Sequence, residues 1–147
     1  MRQLLAVLCT GRQVAEIGTS YGEGAEAMAQ TAAFVVTVEI DPERAAVARK
    51  RLAPFANVEA LEGDATELLP PRAPFELLFL DGSPLKRDQD PAAIELVRPG
   101  GLIVMDDFTP DRPGPDPVRD FWKTHPALVT TELLVTPQMA VLIAARR

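Results

Sequence analysis

Five apolar runs along this chain each end on glycine, a carboxylate or both, and helix-favouring segments separate them. The runs are Val14–Gly18, Phe34–Ile40, Val58–Leu61, Phe75–Leu80 and Leu102–Met105. The polar groups that close them are Gly18–Gly24, Glu39–Asp41, Gly63–Asp64, Asp81–Gly82 and Asp106–Asp107. Short β-branched or aliphatic runs of this kind read as buried strands. Between them, Gly24–Ala33 is alanine-rich, and Asp41-Pro42-Glu43 opens a helix running to about Leu52. Ala65–Leu69 is a short helical turn broken by Pro70 and Pro71, and Pro91–Val97 is a helix closed by Pro99-Gly100-Gly101. Pro117–Thr124 is a further helix. Strands alternating with helices predict a mostly parallel sheet with helices on both faces. The last two strands, Leu128–Val135 and Met139–Ala145, have no room for a crossover helix and should form an antiparallel hairpin. The expected fold is therefore α/β: a doubly wound seven-stranded sheet, mostly parallel, with an antiparallel C-terminal hairpin. Ligands of such sheets bind at the carboxyl ends of the strands, where this chain keeps its glycines and acids.

The 147 residues suffice for one domain with its own core, expected to span residues 1–147. Hydrophobic residues at 47% and charged residues at 24% exclude a disordered tail or a coiled coil. No repeat is found, and proline-rich Thr109–Pro117 reads as a surface loop. Lys and Arg total 15 against 21 Asp and Glu, a net charge of −6 that opposes nucleic-acid binding. One cysteine, Cys9, excludes an internal disulfide and reads as a packed thiol in a reducing compartment. Met1–Cys9 lacks a cleavage site, and no apolar run has the length of a membrane span. The expectation is a soluble cytoplasmic protein with no nucleic-acid or membrane partner.

The first polar group lies in Glu16-Ile17-Gly18-Thr19-Ser20-Tyr21-Gly22-Glu23-Gly24. A glycine-rich turn between strand and helix lets a ligand approach the backbone. The dinucleotide pattern fits poorly, because Ser20 stands where its second glycine belongs. Glu16 would repel a pyrophosphate but suits a ligand bearing an ammonium group. Glu39 ends the second strand about twenty residues after Gly18, the place for a carboxylate that accepts ribose hydroxyls. Asp81, Asp106 and Asp107 each end a strand at the same edge. Three carboxylates without His or Cys suit a hard cation such as Mg²⁺, and capping or turn formation is the structural alternative. His125 reads as a surface histidine at a helix end. Phe121, Trp122 and Tyr21 read as packing residues, with Tyr21 inside the glycine loop.

Together these motifs resemble the class I S-adenosylmethionine-dependent methyltransferases. Their acid-x-Gly-x-x-x-Gly motif is matched by Glu16, Gly18 and Gly22. The likeness is to the catechol and caffeoyl-CoA type O-methyltransferases and related small bacterial proteins. It includes Val-Glu-Ile-Asp at 38–41, Glu-Gly-Asp-Ala at 62–65, Phe-Leu-Asp-Gly at 79–82 and Arg-Pro-Gly-Gly-Leu-Ile-Val-Met-Asp-Asp at 98–107. The resemblance implies a Rossmann-like fold and S-adenosylmethionine as cofactor. It implies a cofactor site drawn from Glu16, Gly18, Thr19, Ser20, Tyr21, Gly22, Glu39, Ile40, Gly63, Asp64, Ala65 and Asp81. Glu39 would bind the ribose, Gly63, Asp64 and Ala65 the adenine, and the Gly18 loop the methionine moiety. Asp81 would stand by the reacting centre, and Asp81, Asp106 and Asp107 would hold a divalent cation.

Two positions depart from the family pattern. The family carries a catalytic lysine three residues after the first Asp, where this chain has Pro84. Lys86 is the nearest substitute, a loop lysine expected in solvent that reaches the site only if the loop rearranges. The helices that precede the first strand are reduced to residues 1–12. The reading that follows is methyl transfer from S-adenosylmethionine to a hydroxyl oxygen of a small molecule, with metal assistance. A non-catalytic cofactor-binding module and a nucleotide-dependent oxidoreductase are the alternatives. A homodimer could supply the missing pocket wall through the apolar N-terminal segment.

Overall fold

The structure, a computed structural model, describes residues 1–147. Its centre is one seven-stranded sheet of order β3-β2-β1-β4-β5-β7-β6. The strands are β1 (Gln13–Ile17), β2 (Phe34–Glu39), β3 (Val58–Glu62), β4 (Phe75–Leu80), β5 (Val97–Phe108), β6 (Leu128–Thr136) and β7 (Met139–Arg146). β1 to β5 run parallel, and β7 lies antiparallel between β5 and β6. This is the expected Rossmann-like arrangement, with the hairpin folded inward so that its second strand meets the parallel part. The strand order reverses between β1 and β4, and a crevice opens there at the carboxyl ends.

Both faces of the central strands are covered, which explains their continuous apolar runs. Val35, Leu77, Phe79 and Val104 enter one core with Leu5, Cys9, Met28 and Leu52. Their neighbours Val36, Val38, Leu78, Leu80, Ile103 and Met105 enter the other core with Leu69, Ile94 and Trp122. The two-residue period of a strand sorts each run into these two layers. The first layer is roofed by α1 (Arg2–Cys9), α2 (Glu23–Ala29) and α3 (Pro42–Leu52). Cys9 is the packed thiol the sequence predicts, and burial pushes its pKa up to about 12. α3 starts as expected: Asp41 accepts the Glu43 and Arg44 N–H groups, and Pro42 occupies the first turn.

The second layer holds α4 (Ala65–Leu68), a 3₁₀ turn (Pro70–Arg72), α5 (Pro84–Arg87), α6 (Ala92–Glu95) and α7 (Pro117–Thr124). Two boundaries differ from the sequence reading. The helix expected over Pro91–Val97 stops at Glu95, because Val97 pairs with Phe75 and begins β5. Pro99-Gly100-Gly101 therefore lies inside a strand, at a register shift, rather than closing a helix. β5 also continues through Asp106 and Asp107, so these carboxylates belong to the strand's end rather than to the loop after it. No helix is long and apolar enough to cross a membrane.

Candidate functional site

A cavity of about 440 Å³ occupies the crevice beyond β1, β2, β3 and β4. Gly18 forms part of its floor with φ at +96°, and a Cβ there would stand 2.1 Å from the Asp81 carbonyl oxygen. Only glycine permits β1 and β4 to end this close together. Ser20 turns the chain with φ at +50°, and its N–H donates to Glu39 Oε2 at 2.7 Å. The Asp41 N–H donates to Glu39 Oε1 at 3.0 Å. Both Glu39 oxygens are thus held by backbone, with remaining lone pairs free for ligand hydroxyls. Across the crevice, Gly63, Asp64 and Ala65 line the wall. Asp64 caps α4 by accepting the Thr66 N–H and hydroxyl, and these bonds hold its carboxyl below its ordinary range.

Of the residues expected around the cofactor, the fold brings Gly18, Ser20, Glu39, Ile40, Gly63, Asp64, Ala65 and Asp81 to this cavity. Glu16, Thr19, Tyr21 and Gly22 do not line it. Glu16 is buried beneath the loop, with the first turn of α2 closed over it: a Cβ on Gly24 would meet Glu16 Oε1 at 2.2 Å. Thr37 donates its hydroxyl hydrogen to Glu16 Oε2, and Thr19 shares a second hydrogen bond with the Thr37 hydroxyl. Desolvation pushes the Glu16 pKa up to about 8, with smaller contributions from Asp81, Asp106 and Glu39. The chain Glu16–Thr37–Thr19 fastens the loop from below. Gly22 is the left-handed N-cap of α2. Tyr21, expected to pack, is about half exposed, because the loop turns its side chain outward.

Asp81, Asp106 and Asp107 meet at the edge of the cavity, each offering a carboxylate oxygen within 4.8 Å of the others. Burial and the neighbouring carboxylates push the Asp106 pKa up to about 7 and raise that of Asp81 as well. Asp106 Oδ1 is buried without a hydrogen-bond partner. Asp81 and Asp107 add two more carboxylates beside this oxygen, an all-oxygen donor set of the kind a hard cation takes, with the Lys86 ammonium as the one positive charge already near it.

Lys86 overturns the expectation of a solvated loop lysine. It is 7% exposed, and no rearrangement is needed to bring it to the cluster. Its Nζ donates to the Asp106 carbonyl at 2.9 Å and stands 3.9 Å from Asp106 Oδ1. The helical turn α5 carries it there, started by Ser83, which accepts the Leu85 N–H, and by Pro84. The buried Trp122 indole donates to the Lys86 carbonyl at 3.1 Å and pins that turn. Ser83, Pro84, Leu85 and Arg87 also line the crevice and were not read from the sequence. Their signal was Ser-Pro, a cap followed by a first-turn proline. Phe121 stacks edge-on with Trp122 at 5.0 Å, and His125 ends α7 with Nδ1 accepting the Ala127 N–H, away from the crevice.

A family profile described as a methyltransferase domain matches residues 15–108, from β1 to the end of β5. The chain belongs to this methyltransferase family. It is 35% identical over 121 residues to a catechol O-methyltransferase of Niastella koreensis, covering 74% of this chain and 55% of that protein. The chain spans about half the length of the curated relatives it matches. A Klebsiella pneumoniae structure assigned as a candidate O-methyltransferase superposes with a TM-score of 0.82 at 28% identity, covering 99% of this chain and 79% of that one. The O-methyltransferase TomG of Streptomyces achromogenes, involved in tomaymycin synthesis and solved with S-adenosylmethionine, superposes at 0.76 with 26% identity. That match covers 99% of this chain and 77% of TomG.

Proposed function

We propose that this methyltransferase domain moves a methyl group from S-adenosylmethionine to a hydroxyl oxygen of a small molecule. The observation that carries the reading is the junction of two sites at Asp81. That residue lines the crevice and also belongs to the carboxylate cluster with Asp106 and Asp107. Glu39 binds the ribose hydroxyls, with its oxygens oriented by the Ser20 and Asp41 amides. Gly63, Asp64 and Ala65 flank the adenine, and Gly18, Thr19 and Ser20 shape the backbone cradle for the methionine moiety. Glu16 and Gly22 act from beneath that cradle, and Tyr21 and Ile40 edge it. Asp81 faces the cationic ammonium and sulfonium end, where a carboxylate is electrostatically favoured.

Asp81, Asp106 and Asp107 are the ligands of a divalent cation such as Mg²⁺. When bound, that cation supplies positive charge that lowers the pKa of an acceptor hydroxyl. Lys86 adds a fixed positive charge beside Asp106. The residues' chief contribution is positioning, since methyl transfer is an in-line displacement. We further place residues 1–147 in one cofactor-binding domain acting in the cytoplasm, consistent with the single buried thiol. We also expect a homodimer in which α1, with Val7 exposed, closes the acceptor side.

Calorimetry tests the reading. S-adenosylmethionine should bind, NAD should not, and Glu39→Ala should weaken S-adenosylmethionine at least about tenfold through lost charge-assisted hydrogen bonds. Mg²⁺ should support methylation of catechol-like acceptors, and Asp106→Asn should remove that dependence. Absence of S-adenosylmethionine binding overturns the proposal. Binding without transfer to a hydroxylated panel favours a non-catalytic binding module.

A further inference from the structure

A second cavity of about 320 Å³ adjoins the carboxylate cluster and borders the first cavity. Asp107 lines it, and Gly82 and Arg87 border both cavities. Its apolar surface is Phe108 and Val118. Lys86, Arg87 and Arg112 also line it, three cations against the carboxylates of Asp107 and Asp116.

These three cations are not equivalent. Lys86 is committed to Asp106. Arg112, itself more than half exposed, stands 3.9 Å from the largely buried Asp116. Asp116 is already engaged: it accepts the Arg119 N–H as the cap of α7 and stands 3.8 Å from the Arg119 guanidinium. Arg87 pairs with no carboxylate. Its backbone is fixed in α5, where its N–H donates to the Ser83 carbonyl. Arg87 is exposed, its turn is hydrogen-bonded, and its side chain borders both cavities, so its guanidinium is available to an oxyanion on a flat molecule.

Resting on the methyltransferase reading above, we propose that the acceptor carries a carboxylate as well as its hydroxyls. Arg87 is the residue that selects it, with Arg112 contributing from the rim. The hydroxyls lie at Asp81, Asp106 and Asp107, the ring against Phe108 and Val118, and the carboxylate at Arg87. Arg87 touches the acceptor but takes no part in bond making.

The test compares 3,4-dihydroxybenzoate with catechol on the full chain, in Mg²⁺ and saturating S-adenosylhomocysteine. Calorimetry gives the affinity ratio of the acid to the neutral compound. That ratio should favour the acid by about tenfold or more, the strength expected of a charge-assisted bidentate pair. Arg87→Gln should bring the ratio close to one, and Arg87→Lys should restore part of it. A circular dichroism spectrum and the S-adenosylhomocysteine affinity, measured on each variant, report folding and the cofactor crevice separately. A wild-type ratio near one, or a ratio unmoved by Arg87→Gln, overturns the carboxylate assignment while leaving the methyltransferase reading intact. If Arg87→Gln instead weakens S-adenosylhomocysteine, Arg87 serves the cofactor and the assignment fails. If S-adenosylhomocysteine does not bind the wild type, the underlying reading fails and the proposal with it.

Discussion

Gly18 and Glu16 stand two residues apart and constrain the site in different ways. A methyl group on Gly18 would collide with the Asp81 backbone carbonyl, and φ at +96° adds strain for any side chain. Gly18→Ala should lower the unfolding free energy by about 2 kcal/mol or more, read from the denaturant midpoint, and should also weaken S-adenosylmethionine binding. Glu16 makes a prediction about pH. Its pKa is about 8 in the fold against 4.5 for the free side chain, so the folded state holds a proton that the unfolded chain releases. Stability therefore falls as pH rises from about 4.5 to about 8. Asp106, raised by burial, acts in the same direction. Glu16→Gln keeps an acceptor for Thr37 and removes the Glu16 share. Urea unfolding at several pH values should show a shallower decline, and the variant should be more stable at pH 8 by about 2–4 kcal/mol.

The roles of these two residues were unequally legible. Gly18, Glu39, Gly63 and Asp64 follow apolar strands, and a strand's end is readable from composition alone. Glu16 also follows an apolar pair, which made it look like a ligand residue. The two-residue period shows otherwise: Glu16 shares its face with Val14, toward α2, whereas Ile17 faces the crevice. Applied to β1, that alternation would have placed Glu16 beneath the loop.

At the scale of elements, the four-residue turn α5 carries Ser83, Lys86 and Arg87 to the two cavities. One turn is too short to leave a helical period in a sequence, so Lys86 read as a loop residue. Its position depends on a long-range contact, the Trp122 indole on the Lys86 carbonyl, 36 residues away. Local sequence holds no trace of that bond. Trp122→Phe keeps most of the packing and removes the donor. It should cost about 1 kcal/mol or more in chemical denaturation, because the Lys86 carbonyl loses its shorter hydrogen bond and keeps only the Gln89 N–H at 3.4 Å. Because α5 and its cap line the crevice, S-adenosylmethionine affinity should fall as well, read by calorimetry. β5 shows the same limit in another form. Pro99-Gly100-Gly101 carries the composition of a stop, yet pairing with β4 resumes across it. Tertiary pairing overrides local propensity there.

For the molecule as a whole, the sheet architecture was more legible than strand order or strand ends. Seven apolar segments with helices between the first five sufficed for a doubly wound sheet closed by a hairpin. The second cavity was not legible, because α5, the end of β5 and the segment Thr109–Val118 meet only in the folded chain. The clustering of Glu39, Asp64, Asp81, Asp106 and Asp107 along one edge explains where much of the acidic excess sits. A cationic cofactor and a divalent ion would both neutralise that edge. Ligand linkage should then stabilise the fold: S-adenosylmethionine at a hundred times its Kd should add about 2.7 kcal/mol, measurable as a rise in Tm.

The inward position of β7 has a consequence for the order in which this chain is made. Although β7 comes last in the sequence, it pairs with β5 on one side and β6 on the other. Until it emerges from the ribosome, the parallel strands expose the open edge of β5, and β6 has no partner. The sheet is joined only by the last of its seven strands to emerge. A chain cut short before Met139 should therefore lose a seam in the middle of the sheet, not a dispensable margin. Stalled or truncated products should be targets for chaperones and proteases rather than a smaller stable domain.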